Sequence, residues 1–213
     1  MTAILICGGT LSAGFLEKIR GEYKDAVIYA VDGGLTVADA AGILPDYLVG
    51  DFDTAEEVLV ARYEERCVTL RHKPEKDATD TELAIDEALA RGAERIILLG
   101  ATGSRMDHTM ANIHMLYRIL QKGKKAFILN ENNRISLHKE GFVIKGDELF
   151  GQYISFLPFF GEVTGVTLKG FKYPLSGETL TAGISLGISN EGREDTMEVS
   201  FTSGYLLMIE ARD

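Results

Sequence analysis

Six short apolar runs punctuate the first 130 residues, at 3–7, 27–31, 47–49, 67–70, 95–99 and 126–129. Helical patterns lie between most of them. In 79–91, Thr79 followed by Glu82 fits a capping box, Leu83, Ala84, Ala88 and Leu89 face a core, and Gly92 closes the helix. In 107–122, Met110, Ile113, Tyr117 and Leu120 keep the helical spacing, and Gly123 ends it. Strands alternating with helices predict an α/β fold: a mostly parallel, Rossmann-like sheet with helices on both faces.

After about residue 130 the helical periodicity disappears. Short runs at 134–137, 152–157, 163–168, 180–184, 196–201 and 205–210 are separated by turns such as EGFVIKGDE and SNEGRED. This texture predicts a small C-terminal antiparallel β-sandwich. The boundary is expected within 130–146, giving domains 1–130 and 131–213. A chain of 213 residues has room for one large and one small domain, and 46% hydrophobic with 25% charged residues is an ordinary globular balance.

The same numbers exclude several classes of partner. A formal net charge of −10 argues against nucleic acid or an anionic membrane surface. No apolar stretch reaches the roughly 18 residues of a membrane span. The opening MTAILICGGT reads as a first strand rather than an export signal, so a cytoplasmic location is expected. Cys7 and Cys67 lie in apolar runs without a second Cys or a His at metal spacing, which predicts buried, reduced thiols. An acidic chain that binds a phosphate ester needs a divalent metal between its carboxylates and the anion.

The chemistry-bearing residues follow the ends of the predicted parallel strands, where ligands bind in open α/β sheets. In GDFDT, Asp51 and Asp53 flank Phe52 and point the same way from an extended segment. Converging carboxylates repel unless a cation sits between them, although a lone D-x-D is most often a solvated turn. In KDATDTE, Thr79, Asp80 and Glu82 are what a helix N-terminus wants, whereas Asp77 has no capping role of its own. In GATGSRMDH, Gly100 and Gly103 let backbone approach a ligand, Arg105 offers a fork for phosphate, and Asp107 starts a helix. Asp32-Gly33-Gly34 either orients a hydroxyl or makes a turn, and Cys7-Gly8-Gly9 is weaker still. The four histidines show no zinc spacing, and neither G-x-G-x-x-G nor a P-loop occurs.

Taken in order, VDGG at 31–34, GDFDT at 50–54, KDATDTELA at 76–84, LGATGSRMDHTMANI at 99–113 and GISLGISNE at 183–191 resemble the thiamine pyrophosphokinase family. Order and spacing hold along nearly the whole chain. Thr54 and Ser104 stand where that family often has Ser and Gly. The resemblance implies an α/β nucleotide domain, a β-sandwich, and a homodimer with its active site between subunits. It implies that the thiamine hydroxyl attacks the β-phosphorus of ATP and AMP leaves. By the same resemblance Asp51, Asp53, Asp77 and Asp80 hold Mg2+, and Asp32 lies near the reacting centre. Gly103, Arg105, Asp107, His108 and Asn112 then contact ATP, while Ser185, Ser189 and Asn190 face thiamine. Two other readings remain: a metal-dependent nucleotide hydrolase that uses water, and a non-catalytic nucleotide or thiamine sensor.

Overall fold

The computed structural model describes residues 1–52, 57–71 and 78–213, so Asp53 and Asp77 lie outside the described residues. The chain divides into two compact units, residues 1–131 and 132–213.

The first unit is built on strands β1 (Thr2–Ile6), β2 (Val27–Val31), β3 (Tyr47–Gly50), β4 (Val68–Arg71), β5 (Arg95–Leu99) and β6 (Lys125–Leu129). They pair in parallel in the order β4-β3-β2-β1-β5-β6. The chain lays strands outward from β1 to one edge, then returns to β1's other side. That reversal between β1 and β5 opens a crevice at their C-terminal ends.

Helices α1 (Ala13–Glu22), α2 (Gly34–Ala40), α3 (Glu57–Glu64), α4 (Asp80–Ala90) and α5 (Met106–Gln121) complete the unit. Ile4, Ile6, Ile28, Ile97 and Leu99 of the sheet pack on Phe15, Leu16 and Ile19 of α1 and Ala38 of α2. Ala30 and Leu48 pack on Leu35, Val60 and Tyr63 of α2 and α3. Residues of the opposite parity turn to the other face. There α4 crosses β1, β2 and β3 and meets α5, with Arg91 stacked 4.5 Å over the Tyr47 ring. Burial on both faces explains why the runs of β1, β2, β3 and β5 are continuously apolar. Thr79 caps α4 by accepting from the Glu82 amide at 3.2 Å. Gly92 and Gly123 follow α4 and α5 with φ of +86° and +70°, which glycine adopts without cost.

The second unit is antiparallel. It contains β7 (Asn133–His138), β8 (Phe142–Lys145), β9 (Tyr153–Lys169), β10 (Leu175–Leu180), β11 (Thr196–Ser200) and β12 (Ser203–Ala211). The first half of β9 pairs with β12, which pairs with β7. Its second half pairs with β11 and β10, and β11 pairs with β8. One strand therefore serves both layers of a sandwich. Ile154, Phe156, Val166, Leu168, Leu180, Met197, Val199, Leu206 and Met208 fill the core between them.

Three sequence expectations change here. The segments 152–157 and 163–168 belong to one strand that bends at Phe160 and Gly161, with φ of +56° and +111°. Residues 142–145, expected in a turn, form β8. The expected run at 180–184 ends as a strand at Leu180, and residues 181–191 form turns around a bridge at Asn190. Both cysteines are free thiols. Cys7 is buried, whereas Cys67 is half-buried and donates to the Pro45 carbonyl at 3.0 Å. Among the described residues, no helix is long and apolar enough to cross a membrane.

Candidate active site

The crevice between β1 and β5 is a cavity of about 660 Å³. Its floor is the backbone that leaves the two strands. Past their ends the strands keep pairing: Cys7 N–H donates to Leu99 O at 2.8 Å, Gly9 N–H to Gly100 O at 2.7 Å, and Thr10 N–H to Thr102 O at 2.8 Å. This close approach needs glycine. A Cβ at Gly9 would stand 2.3 Å from Gly100 O and 2.4 Å from Thr102 O.

The loop 100–105 is tied down from other sides as well. Asn112, 8% exposed, donates its amide to Ala101 O at 2.8 Å. Asn130 donates to the Thr102 hydroxyl at 3.0 Å. The Thr109 hydroxyl accepts from Gly103 N–H at 3.3 Å and donates to Arg105 O at 3.2 Å. Backbone groups in a loop need partners as much as those in a strand do, and here side chains of α5 supply them.

Among the described residues, three carboxylates line the cavity: Asp32, Asp51 and Asp80. Asp32 follows β2 with φ of +46°, and its N–H donates to Val49 O at 2.9 Å. Asp and Asn tolerate this left-handed conformation better than most residues. Gly50, with φ of +145°, lies beside Asp32, and Phe52 follows with φ of +60°. Strained backbone of this kind clusters where a side chain must be aimed rather than merely accommodated. Asp80 opens α4, whose N-terminus is held at the cavity by Thr81, whose hydroxyl donates to the Cys7 sulfur at 3.7 Å. Burial pushes the Cys7 thiol up to about 11, despite the lowering effect of Thr81. That thiol is a neutral part of the wall, not a nucleophile.

Arg105 is the one Lys or Arg among the described residues lining the cavity. It sits at the N-cap position of α5 without a side-chain cap. Its guanidinium grips Asp107 with two bonds, of 3.0 and 2.6 Å. This grip holds the Asp107 carboxyl well below the usual carboxylate range, helped by the His108 backbone. Asp107 is in the first turn of α5 rather than on the cavity wall, while Gly103, His108 and Asn112 line it.

The structure thus brings together Asp32, Asp51, Asp80, Gly103, Arg105, His108 and Asn112. Among the described residues no three His, Cys, Asp or Glu side chains converge as a metal cluster. In the second unit, Ser185 and Ser189 are exposed and Ser189 has φ of +54°. Asn190 is 2% exposed and fully engaged: its carbonyl oxygen accepts from the Tyr173 and Glu191 amides, and its amide donates to Tyr173 O. Sequence reasoning gave no role to Thr10, nor to Thr81, Thr102 and Thr109 although these three lie within the quoted motifs, and it undervalued Gly8 and Gly9. For the two glycines the signal was a Gly-Gly pair after a strand.

A parallel sheet with its cavity at the switch point, walled by glycine backbone, carboxylates and Arg105, defines an α/β protein with a polar small-ligand site. Two family models match the chain: thiamin pyrophosphokinase, catalytic domain, over residues 22–128, and thiamin pyrophosphokinase, vitamin B1 binding domain, over 141–206. The thiamine pyrophosphokinase of Bacillus subtilis is 38% identical over 215 residues, covering 100% of this chain and 99% of that one. A crystal structure of the Bacillus subtilis enzyme superposes with a TM-score of 0.89 at 33% identity, covering both chains completely. The yeast enzyme, at 17% identity, shares the fold with a TM-score of 0.79 over 99% of this chain and 85% of its own. The chain belongs to the thiamin pyrophosphokinase family.

Proposed function

We propose that this protein transfers the pyrophosphoryl group of ATP to the hydroxyl of thiamine, giving thiamine diphosphate and AMP. The observation that carries the reading is the cavity at the β1–β5 switch point, where glycine backbone, Asp32, Asp51, Asp80 and Arg105 meet in a chain of this family. In this reading the thiamine oxygen forms a bond to the β-phosphorus as its O–H bond breaks, the proton passing to solvent. The bond from that phosphorus to the α–β bridging oxygen breaks, and its electron pair leaves with AMP. Such displacements depend on positioning and charge neutralisation more than on covalent help from the protein.

ATP is assigned to the cavity, with Gly103, His108 and Asn112 on its wall and Asp107 acting through Arg105. Arg105 would turn its fork from Asp107 toward the phosphates and offset charge on the transferred group. Asp32 is assigned to the reacting centre, where it orients the attacking hydroxyl. Asp51 and Asp80 are hard oxygen donors, and magnesium characteristically takes one or two carboxylates together with phosphate oxygens and waters. They would hold Mg2+, with Asp53 and Asp77 as the further candidates. When bound, the ion supplies charge neutralisation on the phosphate oxygens.

Thiamine recognition is assigned to the second unit. Ser185 and Ser189 present exposed hydroxyls, and the engaged side chain of Asn190 would hold the 183–191 segment in shape for them. A homodimer, on the general expectation of two-fold symmetry, and a cytoplasmic location complete the reading. Phosphorus NMR of the protein with ATP and Mg2+, with and without thiamine, tests it. AMP and thiamine diphosphate should form only when thiamine is present. ADP or free phosphate without thiamine would identify a hydrolase, and ligand-induced shifts without turnover would identify a sensor.

A further inference from the structure

We infer that Thr109 is a positioning residue for pyrophosphoryl transfer, setting the backbone from which Arg105 reaches the phosphates. The inference rests on the function proposed above. A Thr hydroxyl in the first turns of a helix often donates to the carbonyl four residues back, and Thr109 does so to Arg105 O at 3.2 Å. What is not ordinary is its second bond. The same oxygen accepts from Gly103 N–H at 3.3 Å, so one hydroxyl clamps both ends of the Gly103–Ser104–Arg105 segment. Gly103 has no side chain and only its backbone lies against Gly9 and Thr10, while Ser104 and Arg105 are exposed, so side-chain packing does little to define this segment.

The rest of the loop is held by other groups. Gly100 and Thr102 carbonyls are bound by the backbone at residues 9 and 10, and the Ala101 carbonyl by Asn112. The Arg105 carbonyl also accepts from the Thr109 backbone N–H at 3.1 Å, and it is the Thr109 hydroxyl that ties this helix start to Gly103. Arg105 carries the guanidinium of the cavity wall on a long side chain, so a small shift of its backbone is magnified at the fork. Misplacement of a reacting group by about 1 Å can cost about 100-fold in rate.

The test compares the wild type, Thr109→Val and Thr109→Ser in steady-state kinetics with Mg2+-ATP and thiamine. Calorimetric titration with Mg2+-ATP alone and thermal melts accompany it. Valine keeps the branched shape and removes the hydroxyl, whereas serine keeps the hydroxyl. Thr109→Val should lower kcat/KM for ATP by about 10- to 100-fold, weaken Mg2+-ATP binding, leave KM for thiamine unchanged and keep a near wild-type melt. Thr109→Ser should restore the kinetics to within about threefold. Wild-type kcat/KM in Thr109→Val, or equal losses in both variants, would overturn the inference. If the wild type itself makes no thiamine-dependent AMP, the proposed reaction fails instead, and the titrations still report whether the hydroxyl shapes the nucleotide site.

Discussion

Substituting Gly9 by alanine tests whether the meeting of the β1 and β5 loops builds the site. The added Cβ would lie 2.3 Å from Gly100 O, 2.4 Å from Thr102 O and 3.1 Å from the Gly100 carbonyl carbon. A carbon and a carbonyl oxygen approach comfortably at about 3.3 Å, so the loops must separate by roughly 1 Å. The obstruction is backbone, which has no rotamer by which to escape. Separation on that scale stretches the 2.7 Å Gly9–Gly100 and 2.8 Å Thr10–Thr102 bonds beyond hydrogen-bond range. Two net hydrogen bonds contribute about 2 kcal/mol, which for a chain of this size lowers Tm by about 4–8 °C. The catalytic effect should be larger, because the displaced loop carries Gly103 and Arg105: kcat/KM for ATP should fall about 100-fold. Gly8→Ala is the control for stability. A Cβ there meets nothing nearer than Gly33 Cα at 3.5 Å, so its melt should match the wild type. Paired thermal melts and initial rates decide the matter. A Gly9→Ala protein that melts and turns over like the wild type would show that the loop contact does not shape the site.

The remaining predictions concern charge and burial. Asp32→Asn should keep the fold, because Asn also tolerates φ of +46°, and lower turnover by at least about 100-fold; Asp32→Ala should add about 1 kcal/mol of backbone strain in chemical denaturation. Asp51→Ala should lower turnover by several orders of magnitude and raise the Mg2+ needed for half-maximal rate, with an unchanged melt. Glu210 is 0% exposed and accepts from Arg134 and the Phe150 amide, so Glu210→Ala should cost about 3–5 kcal/mol by leaving Arg134 without its buried partner. Cys7 should make stability fall with rising pH. Its folded value is raised from 9.0 to about 11, so the stabilisation is fully present below pH 9 and is lost as pH climbs toward 11. That amounts to about 3 kcal/mol, and pH-dependent melts of Cys7→Ala should lack this component.

The parallel sheet was legible because its central strands β1, β2, β3 and β5 are buried on both faces and read as continuous apolar runs. Helices α4 and α5 were legible because Thr79, Gly92 and Gly123 mark their ends by local chemistry alone. Other features depend on partners distant in sequence. Strand β9 reads as two strands, since Pro158 and Gly161 look like a turn. In the fold that point is a bend, and β12 pairs across it from Tyr205 opposite Phe159 to Ser203 opposite Thr164. Asn190 illustrates the same limit on function. Within GISLGISNE it reads as a ligand contact, yet its side chain is spent on Tyr173 and Glu191.

The glycines separate the two kinds of information most clearly. Gly100 and Gly103 were legible as places for close approach because an arginine and a helix start follow them. Gly9 carries no such neighbours, and its necessity arises from residues 91 and more positions away that only the β1–β5 pairing brings against it. The switch point therefore does two jobs at once. It opens the crevice that a ligand can enter, and it forces two strand-end loops into contact so tight that only backbone fits between them. A wall made of backbone cannot change rotamer, and side chains of α5 satisfy its exposed N–H and C=O groups. Sites of this construction should tolerate substitution at the exposed ion pair Arg105–Asp107 with loss of rate but not of fold, since the melt is set by the loops beneath. Arg105→Met is the corresponding measurement. A large loss of kcat with an unshifted Tm supports this division of labour, and a large fall in Tm would place Arg105 in the framework instead.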